Sequence, residues 1–116
     1  MFAPREALLE SFKRALLAAD PARAFANLKF KQTRGRTLVL GAGKASAHMA
    51  HALEASWPND SLNNLSGLVL TRYGHTLACN RIEVVEAAHP IPDAAGLEAA
   101  RRVLALASSL GPDDHV

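Results

Sequence analysis

The sequence predicts an α/β fold: a small parallel sheet with helices on both faces, in three layers α/β/α. Three observations predict it. Short apolar runs recur at 37–40 (TLVL), 67–71 (GLVLT) and 82–87 (IEVVEA), each of strand length and bounded by turn residues or charges. Between the first two lies a glycine turn, GAGKAS, followed by a helical pattern. A strand, a tight turn, a helix and a second strand make the unit of a right-handed parallel crossover.

The elements follow in order. Over 5–19, Leu8, Leu9, Phe12, Ala15, Leu16 and Ala19 recur at helical spacing, with Glu6, Glu10, Lys13 and Arg14 mostly opposite. Asp20-Pro21 reads as a stop and a fresh start, an N-cap and a first-turn proline opening a short helix over 21–28. The stretch 29–36 (KFKQTRGR) reads as a polar loop with solvated charges. After the first strand closes on Gly41, a helix runs to about Trp57 with Ala45, Met49, Ala52, Leu53, Ser56 and Trp57 on one face. Met49 and Trp57 are assigned to the core. Residues 58–60 (PND) end that helix, and 61–66 read as a loop.

Beyond the second strand, RYGHT is a turn rich in polar tips; the alternative to a functional role for it is a surface turn with Gly74 at positive φ. The third strand has Arg81 at its mouth. In His89-Pro90-Ile91-Pro92-Asp93 two prolines stiffen the connection, and Asp93 caps a last helix over 94–110. That helix is expected to turn Leu97, Ala100, Val103, Leu104 and Ala107 inward and Glu98, Arg101 and Arg102 outward, and Gly111-Pro112 stops it. The organisation expected is a helical segment over 1–36 and a partial α/β domain over 37–116.

Composition excludes several classes. With 49% hydrophobic and 21% charged residues among 116, the chain holds enough apolar surface for one small folded domain rather than a disordered segment. Thirteen Lys and Arg against eleven Asp and Glu leave a net charge of +2, with no basic run interleaved with aromatics, so no nucleic-acid footprint is present. The single cysteine, Cys79, excludes an internal disulfide framework and a zinc ribbon, and fits a reducing compartment. Charges at Arg5, Glu6, Glu10, Lys13 and Arg14 interrupt every apolar run near the start, so neither a signal peptide nor a membrane span is expected there. The expected location is cytoplasmic.

The candidate chemistry centres on Gly41-Ala42-Gly43-Lys44-Ala45-Ser46. Two glycines at the carboxyl end of a strand let the backbone turn and approach a ligand, and the following helix N-terminus favours an anion. Lys44 adds a full positive charge there, so Gly41, Gly43, Lys44 and Ser46 describe a phosphate or carboxylate site. The alternative is a tight strand–helix turn with a solvated lysine. The spacing is not that of a P-loop, since Leu38 stands where its first glycine belongs, and Ser46 occupies the third glycine place of a dinucleotide fingerprint. Arg72 and His75 follow the second strand and His89 follows the third. In a parallel sheet all three approach the same edge as Lys44. Arg72 can fork onto a carboxylate or phosphate; the alternative is a surface turn. His48 and His51, three apart on the helix after the glycine turn, lack an accompanying carboxylate, so no metal site is assigned. Cys79 has no partner that would make it reactive.

GAGKAS after an apolar strand, then GLVLTRYGH, then RIEVVEAAHPIPDAAGLEAARRVLALASSLGPDD resemble, in that order, the N-terminal part of the glycerate 2-kinases that carry a MOFRL domain. Members of that family also bear the name hydroxypyruvate reductase. The resemblance covers nearly the whole chain, most strongly 37–114. It implies a Rossmann-like domain, transfer of the ATP γ-phosphoryl group to the 2-hydroxyl of D-glycerate, and a requirement for Mg²⁺. It also implies that Lys44 holds the substrate carboxylate or the transferring phosphoryl group, as the family's functional lysine. Thr71–His75 and His89–Asp93 match segments that line the family's site. Phosphoryl transfer depends on positioning and charge neutralisation, which a Lys and an Arg at one strand edge can supply.

Two departures stand out: Thr76 replaces a small residue, and Ala88 replaces a common glycine, which would be strained if that position required positive φ. The family's glycine-rich serine motif, its acidic Mg²⁺ ligands and its second domain are expected beyond Val116, so the chain reads as an N-terminal fragment, inactive alone. Two further readings are an NADPH-dependent hydroxypyruvate reductase fragment, with Arg72 on the 2′-phosphate, and a non-catalytic piece that pairs with a complementary half or with itself.

Overall fold

The computed structural model describes residues 3–116. Helix α1 spans Pro4–Ala18 and α2 spans Pro21–Ala26. Asp20 caps α2 by accepting the Ala22 N–H at 2.9 Å, and Pro21 occupies the first turn, where no backbone donor is needed. Helix α1 forms where its periodicity predicts, yet none of its residues is buried. Leu8, Phe12 and Leu16 are each more than half exposed.

Strands β1 (Thr37–Ala42), β2 (Leu65–Arg72) and β3 (Ile82–Ala87) form one sheet in the order β1-β2-β3, parallel throughout. Helix α3 (Ser46–Ser56) makes the crossover from β1 to β2, followed by a 3₁₀ turn at Asn59–Asn64 where a loop was expected. The β2–β3 crossover contains no helix and runs through 73–81 as an irregular stretch. Three backbone donors there, the N–H groups of Asn80, Arg81 and Ile82, are taken up by the Glu54 carboxylate of α3.

Alternation along the strands defines two faces. Val39, Val69 and Val84 meet Ala50, Trp57, Leu65 and Ile82 on the α3 side, and Phe30 lies against Trp57 with ring centroids 4.5 Å apart. Glu83 faces the other way and pairs with Arg102 of α4 (Ala94–Ser108). Helices therefore cover both faces, and the three-layer α/β/α arrangement is present.

Helices α3 and α4 bury only part of the faces expected of them: Ala52 and Trp57 are buried and Leu53, Val103 and Ala107 half-buried, while other expected positions are exposed. Helix α3 buries Ser46, Ala47, Ala50 and Ala52, whereas Met49 is 49% exposed. Small side chains let its first turn lie close to β1: a Cβ on Gly41 of β1 would stand 3.9 Å from Ser46 Cβ, and 3.3 Å from Val69 Cγ1 of β2. Trp57 is buried as expected. Helix α4 buries Ala99, with Val103 and Ala107 half-buried, while Leu97, Ala100 and Leu104 face solvent. Arg102, expected outward, reaches back to β3.

After α4 the chain returns to the far side of β1. Thr37 and His115 form a parallel bridge; His115 N–H donates to Arg36 O at 2.9 Å and Leu38 N–H to His115 O at 2.8 Å. Arg36 is not solvated as expected of its loop. Its Nε donates to Asp114 Oδ2 at 3.1 Å, its backbone N–H to Asp114 Oδ1 at 2.9 Å, and its Nη2 to Ser109 O at 2.6 Å. Among the described residues no helix is long and apolar enough to cross a membrane.

Candidate functional site

The glycine turn is sewn to the end of β2. Gly43 N–H donates to Leu70 O at 2.9 Å, and the Ser46 hydroxyl donates to the same oxygen at 2.6 Å. Gly43 sits at φ +129°, a conformation that L side chains rarely adopt. These bonds hold Lys44 at the carboxyl end of β1, directly before the first turn of α3.

Parallel strands then bring the other candidates to the same edge. A cleft of about 260 Å³ is lined by Gly43 and Lys44 after β1, Thr71 and Arg72 at the end of β2, and His89 and Pro90 after β3. Three sequence-distant segments thus meet in one concavity. Among the described residues neither Lys44 nor Arg72 has a carboxylate partner, so the cleft carries two uncompensated cations. Gly41 and Ser46 line a neighbouring, more apolar hollow of about 450 Å³ beside β1, which also touches Gly43 and Lys44. His75 lines neither hollow; its N–H closes a turn onto Arg72 O at 3.2 Å, with Gly74 at φ +77°.

The rim of the cleft is fixed by residues that the motif reading used only in part. Asp93 caps α4 as expected, Oδ1 accepting the Gly96 N–H at 2.9 Å, and Oδ2 also accepts the Tyr73 hydroxyl at 2.8 Å. The Gly96 N–H and then the Tyr73 hydroxyl hold the Asp93 carboxyl below the ordinary aspartate range, while Asp93 pushes the Tyr73 phenol up. Glu86 accepts the Gly74 N–H at 2.7 Å. No glycine was needed at Ala88: among the described residues every non-glycine φ is negative. The Tyr73–Asp93 pair left no sequence signal, since twenty residues separate its members.

The two helical histidines go separate ways. His51 Nδ1 lies 2.8 Å from Ala78 O, and His48 faces Asp20 at 3.8 Å. Burial, then the nearby Glu54 charge, push the Cys79 thiol up, which disfavours its nucleophilic thiolate. Burial also raises the Glu54 carboxyl, but the three backbone donors together outweigh it and the net shift is downward.

The domain family described as a domain of unknown function, DUF4147, matches residues 7–116. An Agrobacterium vitis protein named "Putative hydroxypyruvate reductase" is 47% identical over 112 residues, covering 97% of this chain and 25% of that protein. The glycerate 2-kinase of Pyrococcus horikoshii is 33% identical over 124 residues, covering 97% of this chain and 27% of that enzyme. A crystal structure of a Thermotoga maritima glycerate kinase superposes with a TM-score of 0.74 at 30% identity, covering 92% of this chain and 25% of that one. The chain thus spans about a quarter of the length of these relatives. With a match over nearly its whole length and the same parallel α/β layers as a glycerate kinase, the chain belongs to the DUF4147 family.

Proposed function

We propose that this chain supplies the anion-holding part of a glycerate 2-kinase site, one that transfers the ATP γ-phosphoryl group to the 2-hydroxyl of D-glycerate. The observation that carries the reading is the joint lining of one cleft by Lys44 and Arg72 with no carboxylate partner for either. Two relatives named as glycerate 2-kinases support the substrate class. In this reading Lys44, at the start of α3, holds the glycerate carboxylate, helped by the helix N-terminus. Arg72 forks onto the transferring phosphoryl group and offsets its charge. His89 donates a hydrogen bond to a substrate oxygen. The 2-hydroxyl oxygen bonds to the γ-phosphorus as the bond to the ADP oxygen breaks, and the hydroxyl proton passes to water.

The residues described here do not fit the Mg²⁺ that the resemblance implies. Among them no three His, Cys, Asp or Glu side chains converge. The carboxylates nearest the cleft are engaged, Asp93 with Gly96 and Tyr73, and Glu86 with Gly74. Turnover by this chain alone is not expected.

A second reading is favoured by the names of the relatives at 47% and 51% identity, both "Putative hydroxypyruvate reductase". Hydroxypyruvate and D-glycerate share a carboxylate on a three-carbon chain, so Lys44 serves both, and the nucleotide distinguishes them. The test is a titration of the chain with D-glycerate, ATP and NADPH, followed by amide chemical shifts. Shifts at Gly43 and Lys44 with D-glycerate and with ATP support the kinase reading. Tight NADPH binding with no response to ATP contradicts it and favours the reductase.

A further inference from the structure

We propose that Ser46 is a positioning residue: its hydroxyl does not touch the bound anion but ties the glycine turn to β2 and so sets Lys44 against Arg72. The inference rests on the reading of Lys44 and Arg72 as one anion site. The sequence placed Ser46 among the ligand contacts, and the chemistry of its bond argues otherwise. An anion needs donors, and a serine hydroxyl has one proton to give. That proton goes to Leu70 O at 2.6 Å. What remains on the oxygen is lone pairs, which repel a carboxylate or a phosphoryl group. Ser46 is also only 8% exposed, and it lines the apolar hollow beside β1 rather than the cleft shared by Lys44, Arg72 and His89.

The place of this bond in the chain gives it leverage over the site. Leu70 O accepts two donors, the Gly43 N–H at 2.9 Å and the Ser46 hydroxyl. A carbonyl oxygen has two lone pairs, so both bonds can be good at once. The donors stand on either side of Lys44 in sequence, and the acceptor lies just before Arg72 in β2. Next along β2, the buried Thr71 brings its Oγ1 to 3.5 Å from Lys44 O, a longer contact between the same two segments. The two cations of the cleft are thereby related through a few fixed bonds rather than through two independent loops. The same arrangement keeps the start of α3 open. Asp20 and Asp93 cap α2 and α4, whereas Ala45 precedes α3 and no side chain accepts from its first turn. With Ser46 turned to β2, those N–H groups stay unclaimed by a side chain beside Lys44.

The test compares the parent chain with Ser46→Ala and Ser46→Thr, by NMR amide exchange without ligand and by calorimetric titration with D-glycerate. Ser46→Ala removes one donor and no charge. It is expected to speed exchange of the Gly43 N–H by about ten-fold, with the β3 amides and the cooperative thermal transition little changed. D-glycerate binding is expected to weaken by about ten-fold. Ser46→Thr keeps the hydroxyl and is expected to restore both readouts, which a role in packing alone would not produce. Lys44→Ala is expected to cost less affinity in the Ser46→Ala background than in the parent, because a displaced lysine has less to lose. Weaker binding with unchanged Gly43 exchange would mean that Ser46 touches the ligand directly, and overturns the proposal. Unchanged exchange and binding in Ser46→Ala overturn it as well, as does a Ser46→Thr chain that behaves like Ser46→Ala. Absence of D-glycerate binding by the parent counts against the proposed reaction alone, and the ligand-free exchange at Gly43 then decides whether Ser46 holds the turn.

Discussion

The Tyr73 hydroxyl donates to Asp93 Oδ2 at 2.8 Å, joining the turn after β2 to the N-cap of α4. The same carboxylate accepts the Gly96 N–H through its other oxygen. One side chain therefore both starts a helix and closes the rim between the Arg72 and His89 segments of the cleft.

Tyr73→Phe removes the rim bond and leaves the cap. The expected result is weaker D-glycerate binding with a nearly unchanged thermal midpoint. Asp93→Ala removes both bonds and is expected to lower the midpoint as well, because α4 loses its cap. Paired thermal melts and ligand titrations of the two variants check this, and equal effects on both readouts contradict it.

Gly67→Ala is expected to destabilise the fold by about 1–3 kcal/mol or more, as overpacking against rigid backbone does. A Cβ there would stand 2.3 Å from Val39 O and 2.9 Å from Val39 Cβ across the β1–β2 pair. Neither neighbour can swing aside as the far end of a long side chain could. Gly43→Ala meets open space but imposes φ +129° on an L residue. It is expected to perturb the glycine turn at a cost of about 1–3 kcal/mol. Urea unfolding measures both.

Asp114 governs how the tail responds to acid. The Gly111 N–H, then the Arg36 backbone and guanidinium, hold its carboxyl below the ordinary aspartate range. A group with a depressed folded pKa stabilises the fold above its unfolded value. That contribution is lost as pH falls through the folded value. Asp114→Asn is therefore expected to lower the thermal midpoint at pH 7 and to flatten its fall on acidification relative to the parent chain. Midpoints recorded from neutral to acid pH test this, and parallel curves contradict it.

Local chemistry made part of this fold legible. The Asp20 and Asp93 caps, the positive φ of Gly74 and the bounds of β3 follow from residues next to one another in sequence. The convergence of Lys44, Arg72 and His89 was legible too, because parallel strands must deliver their carboxyl ends to one edge. The buried faces of α3 and α4 were legible only in part, at Ala52, Trp57, Val103 and Ala107. Both helices are rich in alanine, and a periodicity of large side chains does not reveal that close packing selects Ala47, Ala50 and Ala99 over Met49, Leu97 and Leu104. Nor could the Arg36–Asp114 pair be read, since its members stand 78 residues apart and meet only once the chain has crossed back to β1.

In the proposed function Lys44 and Arg72 form one anion site. Its most direct test is calorimetric titration of D-glycerate into the parent chain, Lys44→Ala, Arg72→Ala and the double variant. Each single substitution removes a charge-assisted contact and is expected to weaken binding by about 10- to 100-fold. The double variant is expected to lose less than the sum of the two losses, because both side chains serve one ligand. Binding that survives both substitutions unchanged would contradict the account.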